Sequence, residues 1–380
     1  MIRDSRTKLS TRRRLLALLA SLPAGYTRSA ERKQTLPRIT NNESRITPFA
    51  QVVSGYRLRF PQDEGSHPAF RTEWWYITGW LETSARAQMG FQITFFRART
   101  GIDEENPSPF APRQIIIAHT ALSDTSRGSL LNDQRIARVA LGLAGAEEGR
   151  THVWIDDWSL EQDGAAYGAR IAARDFILDL RFTPSQLPLL QGQHGLSAKG
   201  PRPESASYYY SIPHLKVGGA LAHAGTRFSV GGSAWLDHEW SSSYMDERAT
   251  GWDWIGINLD DGGALMAFRM RDAAGATFWA GGAFRDARGV RHAFEPSGVE
   301  FLPVRLWRSP RTGTSYPVAW RVRAGPIELM IEPLMDDQES DTRASVGAVY
   351  WEGAVRATHE KKPVGRGYLE LTGYGQPLRL

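Results

Sequence analysis

The segment Gly232–Ser243 holds the densest group of chemically capable side chains, with Asp237, His238, Glu239 and Trp240 in succession. In a strand, alternate side chains point to opposite faces, so His238 and Trp240 share one face and the two carboxylates share the other. An imidazole transfers protons near neutral pH, and an indole face stabilises a nearby cation. This pattern favours His238 and Trp240 as catalytic residues facing a ligand, with Asp237 and Glu239 in support. The alternative is a buried histidine, satisfied by a neighbour at a seam between domains.

A second alternation of acid and indole follows in Gly251–Trp254, where Asp253 lies between Trp252 and Trp254. A carboxylate in such surroundings has two uses. Asp253 either orients His238 or is itself the acid that protonates a substrate. Trp252 is then expected to border the same ligand.

Glu73 precedes Trp74, Trp75 and Tyr76 in the first half of the chain. A carboxyl group inside an aromatic wall would have a raised pKa, as a general acid requires. Alternatively, Glu73 lies at the end of its strand and pairs with Arg97 or Arg99. Three further aromatic side chains are candidates for ligand contact: Trp74, Tyr76 and Tyr209. His119 follows an apolar strand, where a histidine is more often a satisfied core residue than a catalyst.

Other chemistries find little support in the residues. Ser241–Ser243 lie beside His238, but no Gly-x-Ser-x-Gly turn occurs in a strand-turn-helix setting, as an α/β serine hydrolase requires. Strand alternation separates His238 from the flanking carboxylates, and no paired-histidine spacing suggests a metal site. No phosphate-binding glycine loop is present. We therefore predict no metal and no cofactor.

The elements that must position these residues are short strands. In the second half, strand-like runs at 254–259, 264–271, 277–285 and 290–294 are separated by turns rich in Asp and Gly, which predicts a β-meander. The first half shows similar runs at 72–82, 90–96, 114–122, 152–160, 170–182 and 208–212. We predict an all-β protein of two tandem antiparallel β-barrels or strongly curved sheets, with a β-sandwich as the alternative.

Length and composition agree with two β-rich domains. The 380 residues include 37 Gly, 21 Pro and 13 Trp, a composition typical of a turn-rich globular chain with large apolar walls. We expect a linker or strap at 31–54, an N-terminal domain at 55–220 and a C-terminal domain at 221–380. The absence of Cys excludes disulfides and thiolate metal sites.

The N-terminus has the layout of an export signal. Arg12, Arg13 and Arg14 precede an apolar run that ends near Ala20, which predicts a twin-arginine-type signal peptide over 1–30 and a periplasmic location. The run is too short to span a membrane. The net charge of +5 is concentrated in this region, because the remaining chain carries 39 basic and 40 acidic residues. Nucleic acid is therefore not an expected partner.

Five ordered blocks resemble the AttH-like and carotenoid 1,2-hydratase family. They are Glu73–Tyr76, His119–Asp124, Tyr208–Pro213, Gly232–Ser243 and Gly251–Trp254. The resemblance covers about residues 50–380 and implies two lipocalin-like domains in tandem. It also implies a hydrophobic small molecule, such as an isoprenoid or a lipid, held at or between the barrels.

The family resemblance places a hydratase centre at His238 and Trp240, with Asp253 as a less certain member. It implies an exported enzyme of the hydratase or lyase type, which adds water to a C=C bond with the help of an acid. The alternative is a non-catalytic periplasmic lipid-binding protein that serves the permease of an ABC transporter. Peripheral contact with a membrane is compatible with both.

Overall fold

The computed structural model describes residues 49–102 and 104–378. The predicted signal peptide and most of the predicted linker lie outside these residues. The described chain consists almost entirely of antiparallel strands, and none of its helices has the length and hydropathy needed to cross a membrane.

Two 3₁₀ helices interrupt the strands, η1 at Gln62–Glu64 and η2 at Pro296–Gly298. The strands, in chain order, are β1 Thr72–Thr83, β2 Gln88–Arg99, β3 Gln114–Asp124, β4 Leu131–Arg138, β5 Ala144–Ala146, β6 His152–Ile155, β7 Trp158–Asp163, β8 Ala166–Ala172, β9 Phe176–Thr183, β10 Leu189–Leu190, β11 Leu196–Ala198, β12 Ala206–His223, β13 Thr226–Ser241, β14 Gly251–Leu259, β15 Ala264–Arg271, β16 Thr277–Arg285, β17 Arg291–Phe294, β18 Val299–Arg308, β19 Ser315–Ala324, β20 Ile327–Pro333, β21 Glu339–Thr342, β22 Ala348–His359 and β23 Lys362–Leu371.

Each half of the chain forms one sheet. The first has the order β4-β3-β2-β1-β13-β12-β9-β8-β7-β6-β5, with β10 and β11 paired to β12. The second has the order β17-β16-β15-β14-β23-β22-β20-β19-β18, with β21 paired to β22. Each sheet curls back on itself, since β3 and β4 contact β6 in the first and β15 and β16 contact β18 in the second. The predicted all-β fold with two tandem barrel-like sheets is confirmed.

The turn signals of the second half lie where the sequence predicts them. Gly262, Gly275 and Gly289 have positive φ angles and join β14 to β15, β15 to β16 and β16 to β17. Strands β15 and β16 have the predicted bounds. In the first half, the run predicted at 152–160 is split into β6 and β7, because Asp156 adopts the left-handed conformation in a tight turn.

The change from one sheet to the other lies between Ser241 and Gly251. The division expected at 220/221 instead falls inside the hairpin of β12 and β13, because the long strand β13 pairs with β1 on its other side. The sequence Asp237–Trp240 is therefore carried by the central part of the first sheet.

In residues 49–102 and 104–378, three apolar clusters form the core. One fills the first barrel and includes Trp75 and Trp240, and a second fills the other barrel around Trp320 and Trp351. The third lies between the barrels and draws residues from both sheets, among them Tyr76, Trp80, Tyr209, Trp235, Trp254 and Phe268. We call this region the seam.

Polar contacts fix the two sheets to each other at the seam. Strand β12 bulges between Ile212 and Leu215, where Pro213 cannot donate to the ladder. At the bulge, the N–H of His214 donates to the Asn258 side chain at 2.9 Å, and the Asn258 amide donates to the Ala234 carbonyl at 3.1 Å. Trp80 donates to the Gly367 carbonyl at 3.1 Å.

Candidate functional site

Strand β13 separates the central motif into two faces, as alternation predicts. His238 stacks on Trp75 inside the first barrel, with ring centres 4.7 Å apart, and Trp240 belongs to the same core. Asp237 and Glu239 point to the seam, where their neighbours include Tyr209 and Lys199. Both faces are fully covered, so burial alone does not distinguish a ligand-facing side.

A cavity of about 180 Å³ opens at the seam. Its walls come from β1, β2, β3, β12 and β13 of the first sheet and from β14, β15, β22 and β23 of the second. They are rich in aromatic side chains, and residues that line them include Trp74, Tyr76, Phe96, His119, Lys199, Tyr209, Asp237, Glu239, Tyr244, Trp252, Trp254, Phe268, Tyr350, Glu352 and Glu370.

All eight residues predicted to bind or support a ligand border this cavity: Glu73, Trp74, Tyr76, His119, Tyr209, Asp237, Glu239 and Trp252. The three residues predicted to be catalytic, namely His238, Trp240 and Asp253, are not among its lining residues. The expected arrangement, with His238 and Trp240 facing the ligand and the carboxylates behind them, is reversed at this cavity. The part that any of these residues plays in catalysis stays a prediction.

Asp237 is the central carboxyl group of the cavity. It accepts hydrogen bonds from the Tyr209 hydroxyl at 2.7 Å, the Ser211 hydroxyl at 2.5 Å and the Trp235 indole at 2.7 Å. Burial raises the pKa of Asp237 to about 7 in spite of these donors. Tyr209 in turn accepts from Trp254 at 3.0 Å, so a relay from the second barrel ends on this carboxyl group.

Glu239 pairs with the one lysine that lines the cavity. Lys199 Nζ lies 3.0 Å from Glu239 Oε1, and the Ser207 hydroxyl also donates to Glu239. The ammonium group lies 4.3 Å from the ring centre of Phe268 and 4.8 Å from that of Tyr209. Burial raises the pKa of Glu239 and lowers the pKa of Lys199. Both changes reduce the charge of the pair.

Two further carboxyl groups, Glu352 and Glu370, reach the cavity from the second sheet. Burial raises the pKa of Glu370 to about 7, although Trp252 donates to it at 3.1 Å. Burial, followed by the charge of Glu370, raises the pKa of Glu352 well above its usual range. Within the described part of the chain, Glu352 Oε1 and the buried Tyr76 hydroxyl have no hydrogen-bond partner of standard geometry, although the two side chains are near enough for each to affect the pKa of the other.

Sequence reasoning missed Lys199, Glu352 and Glu370. A signal existed for the two glutamates, since each lies two residues after a tyrosine in an apolar strand, in Tyr350–Glu352 and Tyr368–Glu370. Strand alternation alone did not show that both would face the first barrel.

His238 lies in a polar network inside the first barrel. Its Nε2 is 3.0 Å from Glu73 Oε1, and its Nδ1 is 3.1 Å from the Tyr210 hydroxyl. Glu73 also contacts His67 Nδ1 at 2.7 Å and accepts from Arg97 Nε at 2.8 Å. The alternative in which Glu73 pairs with Arg97 is therefore the one that the structure adopts.

The titration of this network differs from that of the cavity. Burial by itself would raise the pKa of Glu73, but Arg97 and the two histidines hold it well below its usual range. Burial lowers the pKa of His238. A raised pKa for Glu73, as a general acid would need, is thus the wrong expectation. Trp240 stacks on His67 with ring centres 3.8 Å apart, so it covers an imidazole of this network.

Among the residues that the structure describes, one group of side chains has the geometry to hold a metal ion. His67 Nδ1, Glu73 Oε1 and His238 Nε2 all lie within 4.8 Å of one another. These atoms are already joined by hydrogen-bond contacts, and the Arg97 guanidinium supplies positive charge to the same carboxylate. The arrangement is therefore complete without a cation, and the predicted absence of a metal stays a prediction.

Asp253 lies inside the second barrel. Its carboxylate pairs with Arg269 at 2.6 Å and Arg271 at 3.2 Å, and it accepts from Tyr374 at 3.0 Å. The neighbouring Trp252 and Trp254 point to the seam from the opposite face of β14. The expected contact between Asp253 and His238 is wrong, because the two side chains lie in different barrels.

His119 joins the two halves as a neutral side chain. It contacts the Tyr350 hydroxyl at 3.0 Å and the Ser345 hydroxyl at 2.8 Å. Burial lowers its pKa to about 3, so it carries no charge at neutral pH. This agrees with the interpretation of His119 as a satisfied core histidine that also borders the cavity.

Comparison with known proteins places this geometry in a family. The chain is similar to an AttH protein of Nitrosomonas europaea, with 54% identity, coverage of 86% of this chain and 100% of that one, and a TM-score of 0.81. It shares its fold with kievitone hydratase of Nectria haematococca at 13% identity, with coverage of 87% and 98% and a TM-score of 0.64.

A third similar structure is CghA with Sch210972, at 13% identity, coverage of 81% and 89%, and a TM-score of 0.53. No protein with curated annotation matches the sequence significantly. The model of the AttH-like family matches residues 51–374, which include both sheets and every residue of the cavity named above. This chain therefore belongs to the AttH-like family.

Proposed function

We propose that the protein is a hydratase-type enzyme that adds water to a C=C bond of an isoprenoid or lipid-like molecule held in the seam cavity. The observation that carries the proposal is the Asp237 carboxyl group, whose pKa is raised to about 7 inside an aromatic cavity. Such a group holds a proton near neutral pH and can donate it, which is the requirement for a general acid. Kievitone hydratase, which shares the fold, carries a hydratase name.

The proposed reaction needs no cofactor. Protonated Asp237 transfers its proton to one alkene carbon, and the positive charge forms on the other. The indole faces of Trp252 and Trp254 stabilise that charge by about 1–2 kcal/mol when water is excluded. Water adds to the cation, and an ionised carboxylate, Asp237 or Glu370, takes the proton that the added water loses.

Isotope labelling tests the proposal directly. The protein is purified from its native host, the bound apolar molecule is extracted and identified by mass spectrometry, and that molecule is incubated with the protein in H₂¹⁸O. We expect a product heavier by one labelled water, and we expect Asp237→Asn to abolish it.

Glu339→Gln is a matched control, because Glu339 is also buried but is held by Ser309, Thr312 and Tyr316 away from the cavity. Its product yield should equal that of the wild type. A wild-type protein that retains the molecule and never labels it would contradict the proposed chemistry.

A non-catalytic lipid carrier that serves an ABC transporter is the second candidate. It is favoured by one observation: Asp237 already accepts three hydrogen bonds from the protein, as a purely structural carboxyl group would. The labelling experiment separates the two, since a carrier binds the molecule and returns it unchanged.

The proposed place of action is the periplasm, reached through the twin-arginine-type signal that the sequence predicts over residues 1–30. Replacing Arg12 and Arg13 by Lys should leave the precursor inside the cell. Fractionation followed by immunoblotting measures this. Undiminished export of the double variant would indicate another route.

A further inference from the structure

A second cavity lies next to the first and shares one lining residue with it, the aromatic Phe268. This side chamber has a volume of about 170 Å³, and its lining residues include Leu196, Ala198, Met266, Phe268, Trp279 and Ala293. Phe268 lines both cavities. The phenyl ring of Phe268 is therefore part of the wall between the cavity and the side chamber.

The ring of Phe268 packs over Gly281, where a larger residue would clash with it. A Cβ atom at Gly281 would lie 2.9 Å from Phe268 Cε1, so the missing side chain of Gly281 makes room for the ring. On the side of the cavity, the ring centre lies 4.3 Å from Lys199 Nζ. The ring therefore stands between a charged region and an apolar one.

The two cavities differ in chemistry. The cavity holds Asp237, Glu239, Glu352 and Glu370, whereas most residues that line the side chamber are Ala, Gly, aliphatic or aromatic. Trp279 ties the chamber's walls together by donating to the Ala198 carbonyl at 2.9 Å, which joins the second sheet to β11 of the first. The chamber thus belongs to the same seam and continues it with apolar surface.

We propose that Phe268 is a partition between a reaction cavity and a tail-binding chamber. The substrate is then an elongated molecule, whose unsaturated end lies among the carboxyl groups and whose apolar tail passes the ring of Phe268 into the side chamber. This inference rests on the proposed function for the identity of the reactive end. It adds that the length of the tail determines specificity.

Binding of isoprenoid alcohols of increasing length tests the partition. Geraniol, farnesol and geranylgeraniol differ by one isoprene unit at each step, and quenching of tryptophan fluorescence measures their affinity. Ala293 is exposed and borders only the side chamber. We expect Ala293→Trp to leave geraniol binding unchanged and to weaken the two longer alcohols by about tenfold or more, the effect of excluding two or more methylene groups.

Ala287→Trp is the matched control, since Ala287 is an exposed alanine in the β16–β17 turn that lines neither cavity. It should bind all three alcohols like the wild type. In a second variant, Phe268→Ala, the ratio of farnesol to geraniol affinity should rise, because the partition is removed.

Equal weakening of all three alcohols by Ala293→Trp, or no weakening, would refute the tail-binding chamber. These outcomes are distinct from failure of the proposed function. If binding depends on the length of the alcohol but no labelled product forms, the tail-binding chamber is supported and the proposed hydration is contradicted. If labelled product forms but binding does not depend on length, the hydration is supported and the chamber is contradicted. No binding of any alcohol to the wild type would overturn the chamber as a site for isoprenoid tails.

Discussion

Glu352 and Glu370 lie directly opposite each other on the neighbouring strands β22 and β23, and both border the seam cavity. Like charges at this position repel each other, and burial removes the water that would screen them. Protonation of either side chain relieves the repulsion, and the pKa values of both are raised. Like Asp237, whose pKa is also raised, the two glutamates therefore hold protons in the cavity near neutral pH.

The pH dependence of turnover follows from these protonated carboxyl groups. If Asp237 donates the proton, kcat/KM for the molecule extracted from the protein should be highest below the pKa of about 7. Above it, the rate should fall by about tenfold per pH unit, as the protonated fraction does. Initial rates between pH 5 and 9 provide the measurement, and Glu339→Gln should follow the wild-type profile. A rate that rises through pH 7 would instead assign Asp237 as a base.

Stability should depend on pH in the opposite sense to that of an ordinary ion-paired carboxylate. The folded-state pKa of Asp237 lies above its usual value of 3.8, so the folded state binds the extra proton between these values. The free energy of unfolding therefore falls as pH rises from about 4 to 7, by up to about 1.4 kcal/mol per pH unit for this group.

Asp237→Asn should remove only the part of this slope that Asp237 contributes, measured by urea unfolding at several pH values. The remaining slope is due to Glu239, Glu352 and Glu370, whose pKa values are also raised by burial. A variant whose slope equals that of the wild type would show that Asp237 remains ionised throughout this range.

His238 should matter more for stability than for ligand affinity. Its replacement by Ala leaves Glu73 and Tyr210 each without one buried partner, which costs about 1–3 kcal/mol. Farnesol affinity should stay within about a factor of two, because the side chain does not reach the cavity. Tyr210→Phe is the control that removes the weaker of the two contacts. Unchanged stability with complete loss of turnover would restore His238 as a catalytic residue.

Asp253 is expected to be structural. Asp253→Ala leaves Arg269 and Arg271 without their common carboxylate inside the second barrel, and we expect a loss of about 3–5 kcal/mol. Asp253→Asn should lose less, since the amide oxygen still accepts a hydrogen bond. Thermal or urea unfolding measures both. Full stability of the alanine variant with loss of turnover would favour the acid role first considered for this residue.

Much of the fold could be predicted from local signals, because the Asp and Gly turns and the alternation of aromatic residues are read within a few positions. Strands β15 and β16 show this most clearly. The two faces of β13 were also predictable, but their surroundings were not. Both faces are buried, one in a barrel and one at the seam, and nothing local distinguishes these two kinds of burial.

The cavity required information that a single strand does not contain. Asp237 and Glu370 border the same cavity only because β1 pairs with β13, β14 pairs with β23, and the two sheets then pack against each other. Lys199 arrives from a segment next to the short strand β11, which has no strong periodicity. Long-range pairing of this kind is set by tertiary packing rather than by local propensity.

The two barrels share one feature, an ion pair between neighbouring strands inside the barrel. Glu73 on β1 lies directly opposite Arg97 on β2, and Asp253 on β14 lies directly opposite Arg269 on β15, with each acid ion-paired inside its own barrel. Each half thus has its own buried ion pair, which forms without any residue of the other half. Substitutions at the seam between the barrels therefore leave both ion pairs intact, so the same fold can evolve to bind new substrates.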